Sequence, residues 1–314
     1  MRIPRGRGWL RAETQHSDSA MSTAAVNTGI SPLVRDLVAL TKPRVTLVVL
    51  FTTAVGMGTA PGTLGPQRSL WMLLGTWLCV ASANALNCFI ERESDKRMQR
   101  TSKRPLPAGR LDPNLARAFG LLLGVVSLPI LALGTNLVTG VLGLVALVSY
   151  VGVYTPMKQR SALALIVGAI PGALPPLMGY AAVSGELGAK GLLLFALLFL
   201  WQIPHVIGLG AFRREDYVAA GIRVLPAVVG AERTRIHAVL WCLLLVAVSL
   251  LPQWLGWTSW LYLVVAVGLG AWFTSATLKP STPATLTQWG RHVFFTSLFY
   301  LPILFFALLI DGWV

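Results

Sequence analysis

The sequence predicts an all-α, polytopic membrane protein of nine transmembrane helices. Three observations predict it: 55% of the 314 residues are hydrophobic, only 12% are charged, and the mean hydropathy is +0.67. Soluble domains carry about 25% charged residues. Half that share, in a chain built of long apolar runs, places the protein in a bilayer. The net charge of +14 would point a soluble protein toward nucleic acid. Here it is explained by basic cytoplasmic loops, so nucleic acid is not an expected partner and the lipid bilayer is.

Apolar runs of spanning length, about 17–25 residues, fall near 36–59, 69–90, 115–134, 137–154, 162–183, 191–211, 236–251, 258–277 and 292–310. The fourth and seventh are the shortest. The third has a clear start, with Asp112 as N-cap and Pro113 at the first helical position. Basic residues test the count. With the N-terminus inside, 24 of the 26 Lys and Arg lie in cytoplasmic segments, and only Arg68 and Lys190 fall outside. Adding or dropping one helix scrambles that sorting, so the positive-inside rule predicts a cytoplasmic N-terminus and an outer C-terminus. Residues 1–34 are polar and Arg-rich and read as a disordered cytoplasmic tail; 35–314 form the membrane domain. The even-numbered spans all end at the cytoplasmic face, where the polar residues gather. That echo suggests two four-helix halves plus a ninth helix. Cys79, Cys88 and Cys242 lie in or beside apolar runs without metal-ligand spacing and read as buried small residues.

The second span ends in "NALNCFIERESDKRMQRTSKRPLPAGR". Asn87, Glu91 and Asp95 are spaced by four, and each step advances about 40° around a helix, so they share one face. Glu93 lies about 200° from Glu91 and points elsewhere. Two carboxylates and an amide on one stripe suit Mg²⁺, a hard cation usually shared with substrate phosphates. Arg92, Lys96, Arg97, Arg100, Lys103 and Arg104 follow, and Arg in particular binds phosphate by paired hydrogen bonds. Pro105 and Pro107 fold the loop back. The competing interpretation is a solvated, topology-setting loop, but acids are not needed for positive-inside sorting.

Two further segments carry polar residues. In "WQIPHVIGLGAFRREDYVAAG", Pro204 interrupts the sixth span and His205 is an ionisable residue inside a membrane helix, hence a functional candidate or else a hydrogen-bonded core histidine. Asp216 and Tyr217 follow about three turns later. In "YTPMKQRS", Lys158 and Arg160 are the charges of their loop and can steer an anion. The "GAIPGALPPLMGY" that follows breaks the fifth span at Pro171, Pro175 and Pro176, which lines a cavity or marks a packing kink.

At these words the sequence resembles the intramembrane prenyltransferases of the UbiA superfamily, and within it the haem branch. The matching words are "NCFIERESDKRMQRTSKRPLPAGR", "YTPMKQRS…GAIPGALPPLMGY" and "WQIPHVIGLGAFRREDYVAAGIRVLP", and the likeness covers about residues 36–310. It implies nine helices around a central cavity. It implies farnesyl transfer from farnesyl diphosphate to the vinyl group of haem b, with Mg²⁺ as cofactor, and a haem A synthase as a candidate partner. Asn87, Glu91 and Asp95 match the first acidic motif and, with Asp216 from the second, are the implied metal-binding and catalytic set. Glu91 stands where many members have Asp. The acid that relatives often carry four residues after Asp216 is Ala220 here, which argues against a full second metal site and leaves Glu215 as a helper. Arg100, Lys103, Arg104, Lys158 and Arg160 are implied to hold diphosphate, and His205 and Tyr217 to line the haem cavity. Rival functions are another aromatic prenyltransferase of the superfamily, from a quinone or chlorophyll pathway, and a non-enzymatic haem-handling membrane protein.

Overall fold

The computed structural model describes residues 31–311, and its regular structure there is helical throughout. The expected tail, 1–34, lies outside the described residues except for its end, where Pro32–Val34 already belong to the first helix. That helix, α1 (Pro32–Leu40), and α2 (Pro43–Thr59) meet at a bend of 47°. The first apolar run is therefore broken rather than continuous. Proline at 43 lacks an N–H and disfavours right-handed helical geometry in the residue before it; Lys42 is left-handed, with φ 49° and ψ 65°.

Then come α3 (Pro66–Ile90), a short α4 (Arg92–Asp95) and α5 (Pro113–Gly134), followed by α6 (Leu137–Val148), which continues through a π-helical stretch, Ser149–Tyr154, into α7 (Thr155–Met157). The second half comprises α8 (Ala164–Ser184), α9 (Ala189–Phe212), the short α10 (Arg214–Ala219) and α11 (Leu225–Val229), then α12 (Ala231–Trp254), α13 (Trp260–Leu278) and α14 (Leu286–Asp311). Among the described residues, eight helices are long and apolar enough to span, and nine if the bent pair α1–α2 counts as one. The predicted cap is present: the Asn114 N–H donates to Asp112 Oδ1 at 2.6 Å.

Packing repeats between the halves. The first helices, α2 and α8, pack on each other; α3 packs on α5 as α9 does on α12, and α5 on α6 as α12 does on α13. The extra helix α14 seals against α9 and α13. At the α2–α8 crossing the backbones touch. A Cβ on Gly56 would lie 1.9 Å from the Pro176 carbonyl oxygen, and one on Gly179 would lie 2.0 Å from that of Thr53. Membrane helices associate through such small residues, and backbone cannot retreat from an added side chain as a rotamer can. Gly179→Leu is therefore expected to cost more than about 3 kcal/mol, the upper end for overpacking. Loss of monodisperse protein on size exclusion and a lowered unfolding temperature would register it.

The prolines behave otherwise than their spacing suggests. Helix α8 runs unbroken through Pro171, Pro175 and Pro176, and α9 through Pro204. The reason is burial among neighbours: Ala173 to Ala182 are all buried. In a bilayer, adjoining helices of this kind keep proline-bearing helices intact. The three cysteines are buried and free, as expected.

Candidate active site

The row Asn87–Glu91–Asp95 survives the passage from α3 into α4. The Glu91 N–H donates to the Asn87 carbonyl at 2.9 Å and the Asp95 N–H to that of Glu91 at 2.8 Å, so the i to i+4 path is unbroken. All three are buried, at 3%, 3% and 1% exposure. Glu93 faces away, as its angle predicts, and pairs with Lys96 at the surface.

Each oxygen donor in the row meets one base. Lys158 Nζ donates to both carboxylate oxygens of Glu91, at 3.0 and 3.2 Å. Arg104 Nη1 donates to Asp95 Oδ2 at 2.9 Å. Lys42 Nζ donates to Asn87 Oδ1 at 3.0 Å. The other end of the Asn87 amide donates to Thr155 Oγ1 at 3.3 Å, and Thr155 in turn donates to the Tyr150 carbonyl at 2.8 Å. Thr155 and Lys158 sit directly after the π-helical stretch, whose wider turn re-aims the residues that follow; such bulges recur at functional sites. Buried charge persists only when paired, and Glu91 with Lys158 and Asp95 with Arg104 satisfy that rule.

Burial opposes the charge on Lys158, but its surroundings, with the Glu91 carboxylate in direct contact, outweigh it and hold its ammonium above the ordinary lysine range. A raised pKa means that this group's stabilisation is complete below the unfolded value, about 10.4, and is lost only as pH rises through the folded value. Lys158 therefore stays charged over any physiological pH.

The second polar region reaches the first through Tyr217. Its hydroxyl accepts from Arg100 Nη2 at 2.9 Å, the guanidinium lies 5.0 Å from the ring centroid, and Met98 packs with Tyr217, Ala220 and Ile222. Asp216 is half-buried, and its carboxylate has no hydrogen-bond or ion-pair partner among the described residues; Glu215 is exposed. Lys103 and Arg160 are exposed at the rim. Among the described residues no three His, Cys, Asp or Glu close into a metal cage, so Glu91, Asp95 and Asp216 do not form one. Lys158 and Tyr217 line a cavity of ≈ 130 Å³ together with Tyr154, Leu165, Ile207 and Pro226. Small-molecule sites measure roughly 300–1,000 Å³, so this pocket must widen to admit a lipid tail or a porphyrin.

His205 lies elsewhere, between α9 and α14. It stacks on Trp201 at 4.6 Å, lies 4.8 Å from Phe294, and pairs through Nδ1 with Ser297 Oγ at 2.8 Å. None of its recorded partners belongs to the acidic row. Sequence reasoning passed over Lys42, Tyr154 and Thr155. The last two stand in the "YTPMKQRS" word, and Lys42 precedes a proline at the edge of the first apolar run; only their contacts single them out.

A model of the UbiA prenyltransferase family matches residues 49–310. The chain belongs to the UbiA prenyltransferase family. Among its relatives within that family, one from Myxococcus xanthus (strain DK1622) is 48% identical over 283 residues, covering 88% of this chain and 94% of its own. Another, from Anaeromyxobacter dehalogenans (strain 2CP-C), is 44% identical over 293 residues, covering 93% and 99%. Both are named protoheme IX farnesyltransferase. A digeranylgeranylglyceryl phosphate synthase shares the fold at a TM-score of 0.74 and 17% identity, covering 88% of this chain and 98% of its own. So does a UbiA homologue from Archaeoglobus fulgidus bound to DMAPP and Mg²⁺, at 0.60 and 17%, covering 86% and 99%. In this UbiA-family chain the row fits a magnesium ion on its own chemistry: three oxygen donors, two of them carboxylates, buried, with cations beside them to receive phosphate.

Proposed function

We propose that this chain transfers the farnesyl group of farnesyl diphosphate to a vinyl group of protohaem IX, giving haem O and diphosphate. The observation that carries this is the buried row Asn87, Glu91 and Asp95, every member facing a base, in a chain nearly half identical to full-length protoheme IX farnesyltransferases.

Asn87, Glu91 and Asp95 would hold Mg²⁺, with Asp216 available from the second region. Bound there, Mg²⁺ supplies Lewis-acid neutralisation of the charge that grows on the departing diphosphate. Lys158 and Arg104 turn from their carboxylates to phosphate oxygens, and Arg100, steadied by Tyr217, closes from the other side with Lys103 and Arg160 at the rim. The bond from farnesyl C1 to the diphosphate oxygen breaks, and the electron pair of the haem vinyl group attacks the allylic cation. Water captures the resulting cation and loses a proton, leaving a hydroxyethylfarnesyl group. The side chains contribute position and charge and exclude water from the cation; none forms a covalent bond with substrate. His205 and Trp201 offer an aromatic, nitrogen-bearing surface for the porphyrin. The placement of 24 of 26 basic residues supports a cytoplasmic N-terminus and a site at the cytoplasmic face. A haem A synthase is the expected consumer of the product.

Membranes containing the protein, given haem b and farnesyl diphosphate, are expected to form a product of the mass of haem O. EDTA should abolish its formation, and added Mg²⁺ should restore it. Prenylation of a quinone precursor but not of haem, or haem O formation indifferent to EDTA, would overturn this assignment.

A further inference from the structure

Lys42 is, among the described residues, the one non-glycine residue with a positive φ, at 49°. That conformation is sparsely populated for a residue with a Cβ and persists only where the surroundings enforce it, most often at functional sites. Here they do enforce it. Asn84 Nδ2 on α3 donates to the Thr41 carbonyl at 3.1 Å, and Thr46 Oγ1 donates to the same carbonyl at 2.9 Å. Arg110 grips Asp36 of α1 at 3.1 and 3.2 Å, tying the helix before the turn to the loop that follows the acidic row. One turn of α3 beyond Asn84, Asn87 receives the Lys42 ammonium at 3.0 Å. Two asparagines of α3 thus hold the backbone and the side-chain tip of the same turn.

The three bases that face the row differ in what they rest on. Lys158 and Arg104 rest on carboxylates, whereas Lys42 rests on the neutral oxygen of an amide. Exchanging a carboxylate for a phosphate oxygen replaces one charged acceptor by another. Exchanging an amide for a phosphate oxygen sets the ammonium against a full negative charge where it had met only a dipole, which strengthens the interaction. Of the three, Lys42 therefore gains most when a diphosphate arrives, and its departure frees Asn87 Oδ1.

We propose that Lys42 is a diphosphate-binding residue, delivered to the site by a left-handed turn and parked on Asn87 until a prenyl diphosphate takes its ammonium. This rests on the function proposed above. The test uses the full chain in detergent, with pyrophosphate and Mg²⁺ as the calorimetric probe and haem b titrated separately by absorbance. Lys42→Met and Lys42→Gly should each bind pyrophosphate at least about ten-fold more weakly, with haem affinity unchanged; Lys42→Arg should restore most of the loss. Lys42→Gly matters because glycine accepts a φ of 49° without strain, so a purely conformational role predicts that it binds as the wild type does. That result, or wild-type affinity in both Lys42→Met and Lys42→Gly, would overturn the proposal while leaving the function intact. A wild-type protein that binds no pyrophosphate at all would overturn the function and this inference together.

Discussion

Replacing Asp95 by alanine or asparagine is expected to lower farnesyl transfer by about 10²–10³-fold, the loss typical when one element of a preorganised charge-stabilising site is removed, while leaving the protein folded. Two features make the expectation asymmetric. Asp95 is 1% exposed, so its carboxylate is desolvated and acts at full strength on whatever faces it. Its ion-pair partner, Arg104, has a side chain that is 36% exposed, so losing the carboxylate leaves a guanidinium that water can still solvate. The loop itself does not depend on the side chain: Thr101 Oγ1 is anchored to the Asp95 backbone carbonyl at 2.8 Å, a bond that both substitutions keep. Turnover measured by product mass, beside an unfolding scan in detergent, separates the two effects. A wild-type rate in either variant would remove Asp95 from the chemistry.

Much of this architecture is legible in the sequence because the bilayer imposes simple rules. Spans must be long and apolar, bases must sort to one side, and a Asp112–Pro113 pair announces a helix start whatever follows. The acidic row is legible for a similar reason, since a spacing of four means one face wherever the helix persists, and the α3–α4 junction preserves it. What the sequence conceals depends on long-range contact. The bend between α1 and α2 falls at Thr41-Lys42-Pro43-Arg44, a short polar break inside an apolar run read as one span; the contacts that hold it come from Asn84 and Asn87, more than 40 residues away. The residues after Tyr154 are out of register with a uniform period of 3.6, because the π-helical stretch shifts them; Thr155 shows its role only beside Asn87. Prolines in α8 and α9 look like breaks because a proline removes a local hydrogen bond, and burial against neighbouring helices, which decides whether the helix survives, is a tertiary property. His205 is marked by its place inside a membrane helix, and only the packing shows that its partners are Trp201, Phe294 and Ser297.

Lys158→Met is expected to damage both stability and catalysis, and a second substitution should separate the two. Glu91 has a side chain 4% exposed, and Lys158 one 20% exposed, so the lysine is the chief compensation for a carboxylate held away from water. Removing one member of a buried pair typically costs about 3–5 kcal/mol, because the survivor is left charged and unpaired. The residual exposure of Lys158 places the cost toward the lower end. Replacing both members by neutral groups is often tolerated, so Glu91→Gln combined with Lys158→Met should recover most of the lost unfolding temperature. It should recover none of the activity, since neither the metal-facing oxygens of the acid nor the phosphate-facing ammonium has returned. Lys158→Arg keeps the charge and should keep the stability. If the double variant is no more stable than Lys158→Met, the two residues do not act as a pair. If it regains farnesyl transfer along with stability, their role is to hold α3 against the π-helical segment, and the chemistry lies with Asn87 and Asp95.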